Sequence, residues 1–227
     1  MTTTAHTAHT CRLIFAGQVD YQAAWEWQRR LISARSTGGD DTVLLLEHPP
    51  TITLGNKADP GNILLDRAEL ERRGVAVVQS DRGGDVTYHA PGQLVGYPIL
   101  KLGPLGIGVV DYMRALEEVI IRTIGDYGIL GERVAGLTGV WVRGGTAKIA
   151  AIGVKYSAAG ITSHGFALNI NPELHGFAQI VPCGISDRSV TSLAHELGAA
   201  PAWDAVVARV CHHLATVLNL RLEVTAP

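Results

Sequence analysis

Twelve consecutive residues, Arg82 to Gln93, hold three glycines, a proline, a histidine and two charges, and apolar runs flank them at Val75 to Gln79 and Leu94 to Leu102. No helix or unbroken central strand passes through such a stretch, because proline removes an amide donor and glycine favours turns. The chain must therefore bring two strands together around a loop whose backbone admits close approach, and successive free N–H groups there can form a nest for an anionic oxygen. A plain surface turn carries the same Gly-Gly-Asp and Pro-Gly signals but needs only a few residues. The β-formers Val86, Thr87 and Tyr88 inside the stretch mark it as part of a site wall.

The rest of the chain alternates between helical and extended periods. Extended runs are read at Cys11 to Gln18, Thr42 to Glu47 and Thr51 to Leu54, with His48 between the last two read as structural. Asp20 precedes a helix whose Tyr21, Ala24, Trp25, Leu31 and Ile32 share a face, and Asp66 to Arg73 is a short polar helix closed by Gly74. Val109 to Tyr127 carries a stripe of Met113, Leu116, Ile120, Ile124 and Tyr127, with Glu117 and Glu118 outside it. Extended runs follow at Gly139 to Arg143, Lys148 to Tyr156 and Phe166 to Asn171, the first two joined by a turn at Gly144-Gly145. A helix beginning at Asp204 carries Val206, Val210, Cys211 and Leu214 on one face, and Arg221 to Val224 adds an edge strand. No repeated β-α-β unit is evident, so the expected class is α/β (α+β), a mixed, mainly antiparallel sheet with flanking helices. Residues 1–10 are expected to be a disordered terminus and 11–227 one domain.

Composition narrows the function classes. A net charge of −2 gives no reason to expect nucleic acid, and no apolar run reaches the ~20 residues that span a bilayer. Glycine is abundant, 26 of 227 residues against a usual share of about 7%, which favours close backbone approaches. Three cysteines, Cys11, Cys183 and Cys211, lack any CxxC spacing, so neither a disulfide framework nor a metal cluster is expected, and a cytoplasmic location fits.

Two residues stand out chemically. Cys183 lies between Pro182 and Gly184, a turn context that can present its sulfur, although a structural thiol fits the same context. A nucleophilic role requires a neighbouring positive group. Lys148, one of four lysines, begins an otherwise apolar strand whose two faces both look buried; a lysine at a strand end reaching solvent is the other reading. Ser163 to Asn171 forms a third group, in which Asn169 and Asn171 share one side of a strand, either as a second wall or as a buried polar network.

Taken together, RGGDVTYHAPGQLVGYP, KIAAIGV, SHGFALNIN and IVPCGI resemble the lipoate-biosynthesis octanoyltransferases, in order and over residues 43 to 193. The resemblance implies the fold of biotin and lipoate protein ligases. It also implies transfer of an octanoyl group from octanoyl-acyl carrier protein to a lysine of lipoyl domains, in 2-oxoacid dehydrogenase complexes and the glycine cleavage H protein. Cys183 then matches the acyl-thioester nucleophile and Lys148 the group that lowers its pKa. Arg82, Gly83, Gly84, Asp85, Val86, Thr87, Tyr88 and His89 match substrate-contacting positions, as do Ala151, Ile152, Gly153, Gly165, Phe166 and Ala167. Ala90 stands where the family commonly has glycine; preceding Pro91 it is extended, which alanine adopts without strain.

No cofactor, metal, nucleic acid or membrane is expected, and the chain is expected to be a monomer. The acceptor is expected to dock beside Arg82 and Arg143. An ATP-dependent lipoate or biotin ligase, a non-catalytic acyl-carrier-binding protein and a cysteine hydrolase remain alternatives.

Overall fold

Strand β1 (His9–Gln18) starts two residues before Cys11, because His9 and Thr10 pair with the C-terminal strand opposite Leu220 and Arg221. The computed structural model describes residues 8–181 and 188–226. Asp20 caps helix α1 (Tyr21–Ser36) by accepting the Ala23 N–H at 3.1 Å. The helix crosses to β2 (Asp41–Glu47), which runs parallel to β1. The same arrangement recurs in β3 (Thr51–Leu54), α2 (Arg67–Arg72) and β4 (Ala76–Gln79). Two β-α-β units thus exist where the sequence shows none. The elements of both units are legible in the sequence; the parallel pairing of β1 with β2 and of β3 with β4, which makes them units, is not.

There follow β5 (Val86–His89), β6 (Gln93–Ile99), α3 (Leu102–Leu105), α4 (Val109–Gly125), β7 (Glu132–Val134), β8 (Leu137–Val142), β9 (Ala147–Tyr156) and β10 (Thr162–Asn169). The chain ends with β11 (Ser189–Val190), α5 (Leu193–Leu197), α6 (Trp203–Val217) and β12 (Leu220–Val224). The main sheet has the order β12-β1-β2-β6-β10-β9-β8-β7, with β11 beside β9, and a second sheet has the order β4-β3-β5. Among the described residues six strand pairs are antiparallel and four parallel, so the sheet is mixed and mainly antiparallel.

Period-two alternation divides the burial. Leu13, Val43, Leu94 and Leu168 meet Leu116, Ile120 and Leu214 of α4 and α6 on one face, while Ile14, Leu44 and Val95 meet Ala24 of α1 on the other. The small sheet keeps its own core of Ile52, Leu70, Val86, Tyr88 and Phe177. Each such side chain contributes roughly 1.5–3 kcal/mol by leaving water.

One expectation for α4 is corrected. Glu117 is buried, not outside the stripe, because its carboxylate accepts from Arg114, Arg133 and the Gly139 N–H. No helix among the described residues is long and apolar enough to cross a membrane.

Candidate active site

A cavity of about 480 Å³ opens where the 82–85 loop, β5, β9 and β10 converge. Four loop residues line it: Arg82, Gly83, Gly84 and Asp85. Strand β5 contributes Thr87 and His89, β9 contributes Lys148, Ala151, Ile152 and Gly153, and β10 contributes Gly165, Phe166 and Ala167. Two residues expected as substrate contacts are not among the lining side chains. Val86 and Tyr88 belong to the small sheet's core, Tyr88 packing edge-on against Phe177 at 5.4 Å, because alternation along β5 turns them away from Thr87 and His89. Cys183 lies outside the described residues.

Close packing of the backbone holds the loop against β9. Gly83 donates its N–H to Val154 O at 3.0 Å, and a Cβ on Gly153 would lie 2.8 Å from Gly83 O, so a side chain there would force the loop off the strand. Arg82 is a buried strut whose guanidinium donates to Thr53 Oγ1 and O and to Gly83 O. The Asp85 carboxylate is occupied by the Asp59 and Val86 N–H groups and by Asn62 Nδ2. The acceptor is expected to dock beside the loop around Arg82 and near Arg143, and both arginines are held by partners within the chain. Arg82 is buried, and Arg143 is bound to Glu196. Lys57 is the exposed cation among the lining residues, and nothing in its sequence surroundings marks it.

Lys148 is buried at the start of β9, opposite Trp141 of β8 on one side and Val190 of β11 on the other. The β8–β9 register shifts between Val140 and Trp141, a bulge of the kind that re-aims a side chain. The Lys148 ammonium stands 4.6 Å from the Trp141 ring centroid, within cation–π range.

Tyr21, His89, Tyr97 and His164 also line the cavity, and hydrogen bonds that no local spacing shows tie them to groups behind it. Tyr21 bonds Ser80 at 2.9 Å. His48 bonds Val19 O and Tyr97 Oη, both at 2.7 Å. Since a carbonyl only accepts, His48 carries its proton on Nδ1 and Tyr97 donates to Nε2. His164, in the left-handed region at φ 55°, donates from Nε2 to Asp81 at 2.8 Å. Burial lowers the pKa of His48, behind the lining, to about 4, and of the two cavity-lining histidines, His89 well below its ordinary value and His164 despite its carboxylate partner. Asp81 is held well below the usual carboxylate range by its hydrogen bond from His164 and then by Lys155 at 2.5 Å. Burial pushes the Cys11 thiol up to about 12 and Cys211 up to about 11, so neither offers a thiolate near neutral pH. Among the described residues no three His, Cys, Asp or Glu side chains gather as a metal site would require.

The arrangement suits an apolar chain and a polar reacting end. Ile152, Val154 and Phe166 line the cavity, and so do the buried Lys148 and the neutral imidazoles of His89 and His164. Comparison with known proteins agrees. The model of the family described as "Lipoyl protein ligase A/B catalytic domain" matches residues 20–215. A Chloroflexus aggregans protein named octanoyltransferase is 63% identical over 213 residues, covering 93% of this chain and 96% of its own length. In fold, the chain is similar to one from the bipartite lipoate protein ligase and E2 lipoyl domain system of Thermoplasma acidophilum. The TM-score is 0.76 at 14% identity, over 96% of this chain and 88% of that one. It is also similar to the biotin protein ligase of Aquifex aeolicus, with TM-score 0.53 at 15% identity over 91% and 68%.

Proposed function

The chain belongs to the octanoyltransferases of the lipoyl protein ligase A/B catalytic-domain family, and on that premise we propose that it transfers an octanoyl group from octanoyl-acyl carrier protein, through a thioester on Cys183, to the acceptor lysine of a lipoyl domain. The observation that carries this reading is the shared cavity. Residues drawn from 82–89, 148–153 and 165–167, far apart in sequence, line one space with a buried lysine on its wall. Val190, which pairs with Lys148, follows Cys183 by seven residues, so the strand bearing the lysine is tied to the chain that leaves the cysteine.

In the proposed mechanism the Lys148 charge favours the Cys183 thiolate, which attacks the carrier thioester. The C–S bond to the carrier breaks as the bond to Cys183 Sγ forms, and the carrier sulfur leaves as a thiolate that takes up the proton given up by Cys183, passed on by Lys148. The acyl-enzyme keeps the activation of the incoming thioester, so no nucleotide is consumed. The apolar wall at Ile152 and Phe166 receives the acyl chain. The lysine amine of the lipoyl domain then attacks the enzyme-bound thioester, the acyl C–S bond breaks, and the amide forms as the Cys183 thiol is released.

Intact-mass measurement after incubation with octanoyl-acyl carrier protein, without ATP, tests the reading. One octanoyl adduct is expected, lost in Cys183→Ser and absent from Cys11 and Cys211. An adduct that survives Cys183→Ser, or transfer that occurs only with ATP, would overturn it.

A further inference from the structure

His89, Gln93 and Asn169 form a buried chain of hydrogen bonds that the thioester mechanism leaves unused. His89 Nδ1 meets Gln93 Oε1 at 2.7 Å, Gln93 Nε2 meets Asn169 Oδ1 at 2.9 Å, and Asn169 Nδ2 meets Thr191 O at 2.9 Å. The direction of this chain is fixed at its far end. Thr191 O can only accept, so Asn169 must present its NH₂ there and its oxygen to Gln93. Gln93 Nε2 also lies 3.3 Å from Tyr88 O, a second group that can only accept. Gln93 therefore turns its oxygen to His89, and His89 must carry a proton on Nδ1. The lone pair is left on Nε2 of a ring that lines the cavity.

The sequence builds the relay locally. Ala90-Pro91-Gly92-Gln93 is a turn closed by Gln93 N–H to Ala90 O at 3.2 Å, with proline second and Gly92 third at φ 87°. This is the type II pattern, and it folds Gln93 back onto His89. The relay ends at Thr191, whose own N–H donates to Lys148 O at 2.9 Å. One short segment therefore fixes both the histidine's tautomer and the strand bearing Lys148.

We propose that His89 is a catalytic residue of the second half-reaction, taking a proton at Nε2 from the attacking lysine amine, and that Gln93 and Asn169 are the positioning residues that hold it in the Nδ1–H form. The assignment rests on the acyl-enzyme reading above. With Lys148 and Arg82 on the same wall, the acceptor lysine enters as the neutral amine. Its nitrogen bonds to the thioester carbonyl carbon, and one N–H proton passes to Nε2. The tetrahedral intermediate collapses, the electron pair of the C–S bond leaves on Sγ, and the Nε2 proton follows it there. Amine and thioester become amide and thiol. The Nδ1–H bond to Gln93 Oε1 persists in both charge states of the ring. Four further groups face the ring: Tyr21 stacked at 5.7 Å, His48 edge-on at 5.5 Å, Arg82 and His164.

Two variants test this, with octanoyl-acyl carrier protein as donor and a lipoyl domain as acceptor, each half-reaction followed by intact mass. His89→Asn keeps an N–H donor in place of Nδ1 and removes the base. Its Cys183 adduct should form within about tenfold of the wild-type rate, while the chase with the lipoyl domain slows by roughly 10²–10⁴-fold, the usual contribution of a general base. In Gln93→Glu a carboxylate accepts from Nδ1–H, which raises the histidine's pKa and should move the pH midpoint of the chase upward. Equal slowing of both half-reactions in His89→Asn, an unaffected chase, or an unmoved midpoint in Gln93→Glu would overturn the proposal. A wild-type protein that forms no adduct would overturn the acyl-enzyme reading and this role with it.

Discussion

Lys148 has two separable jobs in the first half-reaction, stabilising the Cys183 thiolate by its charge and carrying the thiol proton to the departing carrier sulfur, while His89 serves the second. A guanidinium supplies charge but effectively never loses its proton. Lys148→Arg is therefore expected to keep some iodoacetamide labelling of Cys183 at neutral pH yet lose most transfer to a lipoyl domain, whereas Lys148→Ala loses both. Transfer by Lys148→Arg at near the wild-type rate would reduce the lysine to a charge, with no part in moving the thiol proton. At this scale the sequence shows residue types but not pairings. Lys148 reads as anomalous because an ammonium begins an apolar run. The bonds that commit His164 to Asp81 and Gln93 to Asn169 span 83 and 76 residues, a separation that no local spacing encodes. Arg82 misleads for the same reason: a lone arginine beside glycines looks like a surface cation until Thr53 is folded against it.

Among the elements, β6 and β10 meet at a contact with no spare room. Gly96 pairs with Phe166, and a Cβ on Gly96 would lie 2.2 Å from Phe166 Cζ, so the ring sits where a side chain would be. That ring is buried and forms part of the cavity wall. Gly96→Ala should force Phe166 off its rotamer, costing about 1–3 kcal/mol in urea unfolding and slowing acyl loading. Adding Phe166→Leu should restore stability but not loading. If Gly96→Ala alone leaves both unchanged, the ring is not a fixed wall. Long periodic elements were readable because burial imposes their period: α1, α4 and α6 were marked by their stripes, and β1, β2 and β9 by extended apolar runs. Strand β5 shows in the sequence only as β-formers within a loop, because its four residues divide between two different environments, Thr87 and His89 in the cavity and Val86 and Tyr88 in the small core. Strand β11, two residues long, is defined only by pairing with Ala147 and Lys148.

For the whole molecule, the neutral histidines sit at the joints between its layers. His48 ties Val19, where β1 leads into α1, to Tyr97 of β6. His89 ties β5 of the small sheet to β6 of the large one through Gln93, and His164 ties β10 to Asp81 beyond β4. Protonating these rings strikes contacts between elements rather than any one core, so acid should loosen both sheets in a single transition. The sign follows from proton binding. Between pH 6.5 and about 4 the unfolded chain protonates His48 and the folded chain does not, so stability is full above pH 6.5 and falls as pH drops through that window. A shift from 6.5 to about 4 corresponds to about 3 kcal/mol for His48 alone, and His89 and His164 act in the same direction. The depressed Asp81 carboxylate adds its own acid loss only below its ordinary value of 3.8, which separates the two effects on the pH axis. Urea unfolding at pH 5 and pH 8 should show the wild-type protein losing stability toward acid and His48→Gln losing measurably less, since glutamine has no proton to gain. Equal losses in the two proteins would show that His48 titrates in the folded state much as it does in the unfolded one, and that its bonds to Val19 and Tyr97 do not hold the ring neutral.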